Sequence, residues 1–209
     1  MLRSVVASLF RVGLWTFYRR IEVVGIDKMA AEGPVIMVAN HPNSLVDPAS
    51  LLLNSPRPVS FLAKSTLFDM GLIGPLVRAF DSIPVYRKID KGVDTSKNQE
   101  TFATARRVLE GGGVLALFPE GVSHDEPKLL PLKTGAARIA LGVAGDSGRV
   151  QVLPVGLVFT HKGRFRSDLI LRVGDPIAVQ GSPDQLDEQG QPQREPVQQL
   201  TQALSLIHI

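Results

Sequence analysis

The chain contains no cysteine. That single absence removes disulfides, thiolate metal sites and a cysteine nucleophile together. Aromatic residues make up 6%, with one Trp, two Tyr and nine Phe, and no run of Lys/Arg alternates with them, so nucleic acid is set aside as a partner. The net charge of +3 is too small to argue otherwise. No stretch reaches the roughly 18 uninterrupted apolar residues of a spanning helix. Four scattered His and no Cys give no metal-site spacing. One absence is local: Met1–Arg20 holds Arg3, Arg11, Arg19 and Arg20 but no acid.

That N-terminal stretch is otherwise apolar, with Leu9, Phe10, Leu14, Trp15, Phe17 and Tyr18 among its residues. Arg11 interrupts it, which argues against a signal peptide. A basic helix with aromatic side chains suits the headgroup layer of a membrane, where anionic lipids attract its arginines. The alternative is an ordinary helix packed on its own domain.

The chain of 209 residues fits one domain with one core, and 44% hydrophobic residues make it globular. Pro34–Ala39 and Val114–Phe118 are continuous apolar runs bounded by turn residues, the pattern of buried strands. Ile21–Gly25, Pro58–Ala63, Ser82–Tyr86, Val150–Leu157 and Leu169–Val173 also read as extended, the last near a sheet edge. Helices are expected at about Ser44–Asn54, Leu72–Phe80, Asp94–Glu110 and Thr134–Val143. Alternating strands and helices predict an α/β fold: a single domain with a mixed, mostly parallel sheet flanked by helices, preceded by an amphipathic membrane-interface helix. The expected divisions are 1–20 (interfacial helix), 21–180 (the domain) and 181–209, a polar linker followed by a weak helix from about Pro196. The final Leu204-Ser205-Leu206-Ile207-His208-Ile209 resembles the translation of a sequencing-library transposon end. The natural chain is expected to run on past residue 203.

Four segments carry chemistry. Asn40-His41-Pro42-Asn43-Ser44-Leu45-Val46-Asp47-Pro48 follows directly on a buried strand, where ligands gather in open α/β sheets. Imidazole is suited to take a proton near neutral pH, and such a base needs a partner on its other nitrogen. Asp47 is the candidate. Six residues along one regular helix leave two positions roughly 120° apart, so His41 must precede the helix and Asp47 must reach back from its first turn. Helix capping by Asp47 or Ser44, with His41 a loop histidine, explains the same residues. In Ser82-Ile83-Pro84-Val85-Tyr86-Arg87-Lys88 two adjacent cations end an apolar stretch and would suit a phosphate ester; a solvated strand end is the alternative. Phe118-Pro119-Glu120-Gly121-Val122-Ser123-His124 follows another buried strand, with a turn whose free amides suit an anion. Lys133-Thr134-Gly135 lies just downstream, at a helix start. Val152-Leu153-Pro154-Val155 is a strand with an inserted proline, which alone suggests an edge strand.

Taken in this order, the four segments resemble the glycerolipid acyltransferase family, the lysophosphatidate and glycerol-3-phosphate acyltransferases, from about Ile21 to Val173. The resemblance implies that His41 is the general base and Asp47 its orienting carboxylate. It implies that Arg87 holds the acceptor phosphate and that Glu120 and Gly121 form the acceptor-binding turn. Pro154 is placed on the acyl side, Lys64 at a recurrent basic position near the site, and Lys133 against phosphate or donor headgroup. Two departures stand out. The family's commonest spacing has four residues between His and Asp where this chain has five, so one residue must bulge. The third motif usually continues Thr-Arg; here Val122 and His124 stand in those places, leaving Lys88, His124 or Lys133 to replace an arginine.

The implied reaction moves a fatty acyl group from acyl-CoA or acyl-ACP, as co-substrate, to a glycerol-phosphate hydroxyl in phospholipid biosynthesis. The expected acceptor is 1-acyl-sn-glycerol-3-phosphate, with glycerol-3-phosphate the alternative. No cofactor or metal is implied, and the expected location is a monotopic one at the cytoplasmic face of a membrane. A serine hydrolase is disfavoured because Gly121-Val122-Ser123-His124-Asp125 lacks the elbow's second glycine. The rival of another class is a non-catalytic lipid-binding protein with a decayed site.

Overall fold

In the computed structural model, residues 2–30, 32–87, 90 and 93–206 are described. The apolar run Val35–Ala39 forms β2, buried at every position, which is why it reads as continuous rather than alternating. Its side chains still alternate. Val35, Met37 and Ala39 join one core cluster and Ile36 and Val38 the other, so both faces of the strand are covered.

The other strands are β1 (Arg20–Val24), β3 (Val59–Lys64), β4 (Ile83–Val85), β5 (Val114–Leu117), β6 (Arg149–Phe159), β7 (Asp168–Val173) and β8 (Ile177–Gln180). They form one sheet in the order β1-β7-β6-β2-β5-β3-β4, with β8 also on β6. Strands β6, β2, β5, β3 and β4 run parallel, while β7 and β8 are antiparallel to β6. The helices are α1 (Leu2–Phe17), α2 (Val46–Asn54), α3 (Ile73–Ala79), α4 (Asn98–Glu110), α5 (Gly135–Ser147) and α6 (Arg194–Leu206). α1, the Tyr18 that follows it and α2 cover one face of the sheet through Leu14, Tyr18 and Leu51. α4, α5 and α6 cover the other through Leu109, Ala137, Ala140 and Val197. The expected mixed, mostly parallel α/β fold is the observed one.

The C-terminal part, read as a polar linker followed by a weak helix from about Pro196, packs on the domain and carries α6. Gly181 lies so close to α5 that a Cβ there would meet the Ala144 carbonyl oxygen at 2.0 Å. Val197 and Leu204 of α6 are buried in the core. Only a few apolar side chains anchor this segment, which is why its composition looks like a linker while its backbone is docked. β8 was not expected either. It is four residues long, and its inward Val179 is the only one of them fully buried.

β6 is not an edge strand, contrary to what Pro154 alone suggests. Pro154 pairs with Val38 of β2 on one side, and on the other its carbonyl accepts the Gly174 N–H at 2.9 Å. On that second side β8 covers Arg149–Val152 and β7 covers Val155–Phe159. The missing proline N–H therefore falls at the junction between two partner strands, where no ladder bond is lost.

The parallel arrangement decides the rest. β2, β5, β3 and β4 end on the same side of the sheet, and His41, Glu120, Lys64 and Arg87 stand at or just beyond those ends.

Candidate active site

His41 leaves β2 one residue after Asn40. The Asn40 side chain mimics one more strand residue: its Nδ2 donates to the Leu157 carbonyl at 3.0 Å and its Oδ1 accepts the Leu157 N–H at 2.7 Å. With the strand exit fixed, the imidazole lies flat on Phe118, centroids 4.1 Å apart and planes 12° from parallel. His41 Nδ1 meets Asp47 Oδ2 at 2.8 Å. A carboxylate only accepts, so Nδ1 carries the proton and Nε2 presents a lone pair. Among the described residues nothing hydrogen-bonds Nε2, and the ring remains 19% exposed.

Asp47 sits in the first turn of α2 but caps nothing. The N-cap position is Leu45, without a side-chain cap bond. Instead Asp47 Oδ2 also accepts the Asn43 N–H at 2.7 Å. Asp47 is fully buried; burial pushes its carboxyl above the usual carboxylate range, opposed by the hydrogen bonds from His41 and Asn43 and by the charges of His41 and Lys162. The additional residue between His41 and Asp47 is absorbed at Ser44, whose φ of 42° is left-handed, a conformation uncommon outside glycine. The Ser44 N–H donates to Ser123 Oγ at 3.1 Å, tying this turn to the third motif.

Glu120 does not face a substrate space with free oxygens. It is 2% exposed. Its Oε1 accepts the His41 backbone N–H at 3.1 Å, and its Oε2 accepts the Leu130 N–H at 2.8 Å and a hydrogen bond from His124 Nε2. His124 Nδ1 accepts the Glu126 N–H at 3.2 Å, which fixes that tautomer. The His124 N–H returns to the His41 carbonyl at 3.2 Å. Glu120 thus braces the His41 loop, and His124 holds the brace. Gly121 takes φ 76° in the turn, and its carbonyl accepts Arg87 Nη1 at 2.6 Å.

Arg87 is held a second way. Its Nε and Nη2 each donate to an oxygen of Asp90 at 2.9 Å, a bidentate fork. Lys64 Nζ stands 3.2 Å from the same carboxylate. The hydrogen bond from Arg87 holds the Asp90 carboxyl below its usual range, with Lys64 adding to it and burial opposing. Asp90 was not singled out in the sequence; an acid two residues after Arg87-Lys88 was the available signal. Lys88 lies outside the described residues.

Three cavities meet at His41. One of about 270 Å³ is almost wholly apolar, lined by Phe10, Leu52, Phe61, Leu76 and Phe80. A second, about 700 Å³, carries Arg87, Lys133 and Gly121. A third, about 370 Å³, is lined by Glu120, His124, Lys128 and Pro154. Pro154 therefore reaches the site, but in this more polar cavity rather than the apolar one, because β6 and β3 lie on opposite sides of β2 and β5.

Residues far away in sequence complete the loop. Lys162 Nζ donates to the Pro42 carbonyl at 2.8 Å and pairs with Asp125. Asn43 Nδ2 donates to the Tyr18 hydroxyl at 3.1 Å. Tyr18 and Lys162 carry no local sequence signal for this role. Among the described residues no cluster of three or more His, Asp or Glu is arranged to hold a metal ion, and no helix is long and apolar enough to cross a membrane.

Known proteins resemble this chain. The family model described as Acyltransferase matches residues 20–158. The glycerol-3-phosphate O-acyltransferase 2 of Saccharomyces cerevisiae is 48% identical over 86 residues, covering 40% of this chain and 12% of that protein. The probable 1-acyl-sn-glycerol-3-phosphate acyltransferase of Mycoplasma genitalium is 30% identical over 154 residues, covering 70% of this chain and 53% of that protein. The chain thus spans well under two-thirds of either relative. The crystal structure of the 1-acyl-sn-glycerophosphate acyltransferase of Thermotoga maritima superposes with a TM-score of 0.63 at 21% identity, over 98% of this chain and 78% of that one, which shows the shared fold. The matched region contains His41, Asp47, Lys64, Arg87, Glu120 and Pro154 within one model, and the chain belongs to the acyltransferase family.

Proposed function

We propose that the protein transfers a fatty acyl group from a thioester, acyl-CoA or acyl-ACP, to a hydroxyl of a glycerol-phosphate lipid precursor. The observation that carries this reading is the 2.8 Å His41–Asp47 contact where two largely apolar cavities meet, the second of which also carries the cations Arg87 and Lys133. The first suits an acyl chain. Arg87 and Lys133 on the other suit a phosphate.

In the proposed step His41 Nε2 removes the acceptor hydroxyl proton as its oxygen adds to the thioester carbonyl. The tetrahedral adduct collapses, the C–S bond breaks, and the leaving sulfur takes the proton back from His41. Asp47 steadies the imidazolium formed in between. A base of this kind contributes about 10²–10⁴-fold, and holding the two substrates together contributes further. No covalent acyl-enzyme is needed.

The acceptor we favour is 1-acyl-sn-glycerol-3-phosphate. Glycerol-3-phosphate is a specific second reading, because the yeast relative named for that acceptor is 48% identical over its matched stretch. We also read α1 as lying on a membrane at its cytoplasmic face. Leu14 and Tyr18 pack inward, yet Val5, Leu9, Val12 and Trp15 stay exposed, so the helix keeps an apolar face that its own domain does not cover.

Purified protein in detergent, given acyl-CoA with either acceptor, tests the reading. Transfer to lysophosphatidate or glycerol-3-phosphate, lost in His41→Ala, is expected; no transfer to any lipid acceptor would favour a non-catalytic binding protein. Leu9→Ser with Val12→Ser should weaken sedimentation with vesicles, and unchanged sedimentation would place the contact elsewhere.

A further inference from the structure

The turn between β6 and β7, residues 160–167, reads Thr-His-Lys-Gly-Arg-Phe-Arg-Ser and holds no acid. Lys162 turns inward to Pro42 and Asp125. His161, Arg164 and Arg166 are exposed, and Phe165 is 60% exposed between its two arginines. Among the described residues neither Arg164 nor Arg166 has an acidic partner. The neighbouring acids are already taken, Asp168 by Arg19 at 2.6 Å and Glu22 by Arg20 at 2.8 Å.

This tip is clamped in place. The Arg164 N–H donates to the His161 carbonyl at 3.0 Å, and the Arg166 N–H to the Phe17 carbonyl at 2.7 Å. The Arg19 N–H donates to the Ser167 carbonyl at 2.8 Å. Arg166 is held at φ 64°, and the Phe165 ring meets Phe17 edge-on at 5.9 Å. The tip is therefore a rigid continuation of the C-terminal end of α1.

We propose that the β6–β7 tip is a second membrane contact, one that binds anionic phospholipid headgroups. Arg164 and Arg166 pair with lipid phosphates, and Phe165 enters the headgroup layer between them. This rests on the reading of α1 as a membrane-surface helix. An acidic protein partner would use the arginines equally well, but the exposed phenylalanine and the junction with α1 favour a lipid surface. Lys162 joins the same turn to the catalytic loop, so headgroup binding at the tip also orients the cleft toward the bilayer.

The test uses the full chain and vesicles of phosphatidylcholine with or without phosphatidylglycerol, in the absence of substrates. Arg164→Gln with Arg166→Gln should weaken binding to the anionic vesicles about 25-fold, roughly fivefold per arginine. Binding to neutral vesicles and the melting temperature should not change. Arg164→Lys with Arg166→Lys should keep the anionic preference. Undiminished anionic binding by the Gln pair overturns the proposal. So does a Gln pair that keeps vesicle binding but loses turnover with an acidic carrier-protein donor, which would make the tip a protein-docking surface. Because no acyl transfer is measured in the vesicle arm, failure of the catalytic reading leaves this outcome intact.

Discussion

Glu120 accepts the backbone N–H of His41 at 3.1 Å across the ends of two neighbouring parallel strands. A carboxylate of the third motif thus fixes the main chain of the first, while the imidazole itself is steered by Asp47. The placement of His41 is shared between two acids, one on the backbone and one on the ring.

Replacing Glu120 by Ala leaves the His41 and Leu130 N–H groups without their acceptor. The expected loss of stability is roughly 1–3 kcal/mol for each orphaned donor, measurable by urea unfolding. The loss of activity should appear in kcat more than in the KM of either substrate, because Glu120 acts through His41 rather than on the ligand. A KM effect alone would return Glu120 to the role of acceptor ligand.

Asp47→Asn should separate stability from activity. Burial raises the native carboxyl above its usual range, so the folded state binds the proton more tightly than the unfolded one. Its contribution is then favourable at low pH and is lost as pH rises from the ordinary carboxylate range through the folded value. At neutral pH the buried charge is a cost that Asn removes. Thermal melting at pH 7 should rise for the variant, while transfer falls on the order of 10²–10⁴-fold as the histidine tautomer is lost.

Asp90 has the opposite sign. Its native carboxyl is held below the usual range, chiefly by Arg87. The stabilisation it gives is present above the ordinary carboxylate range and disappears as pH falls through the folded value. Urea midpoints for wild type and Asp90→Asn should therefore converge in acid and separate toward neutral pH, with wild type the more stable. Arg87→Lys, which cannot form the same fork, should raise the acceptor KM about tenfold.

Ser44 carries the strain of the longer loop, at φ 42°. Ser44→Gly should leave the melting temperature unchanged or higher, since glycine takes this conformation freely, at the expense of the unfolded-state entropy it adds. Ser44→Val should lower it and reduce kcat, because a β-branched residue resists left-handed backbone. Equal behaviour of the two variants would show that the turn is not what sets the His41–Asp47 distance.

Much of this was legible in the chain. Val35–Ala39 and Val114–Leu117 announce buried strands by being apolar throughout, and the placement of His41 and Glu120 just beyond them follows from that. The need for a bulge between His41 and Asp47 was also readable, although not its location at Ser44. Other features had no local signal. Tyr18 and Lys162 reach the Pro42–Asn43 turn from opposite ends of the chain, so only the tertiary fold brings them together. The hydrogen bonds of Glu120 to the Leu130 N–H and to His124 had no local signal either, since no spacing rule connects these residues. The docking of Val197 and Leu204 was hidden by the polar residues around them.

The most direct measurement is kcat for acyl transfer to a glycerol-phosphate acceptor by wild type, His41→Ala and His41→Gln. A fall of about 10²–10⁴-fold in kcat is expected for both variants, with thioester binding retained. Transfer by His41→Ala at the wild-type rate would contradict it.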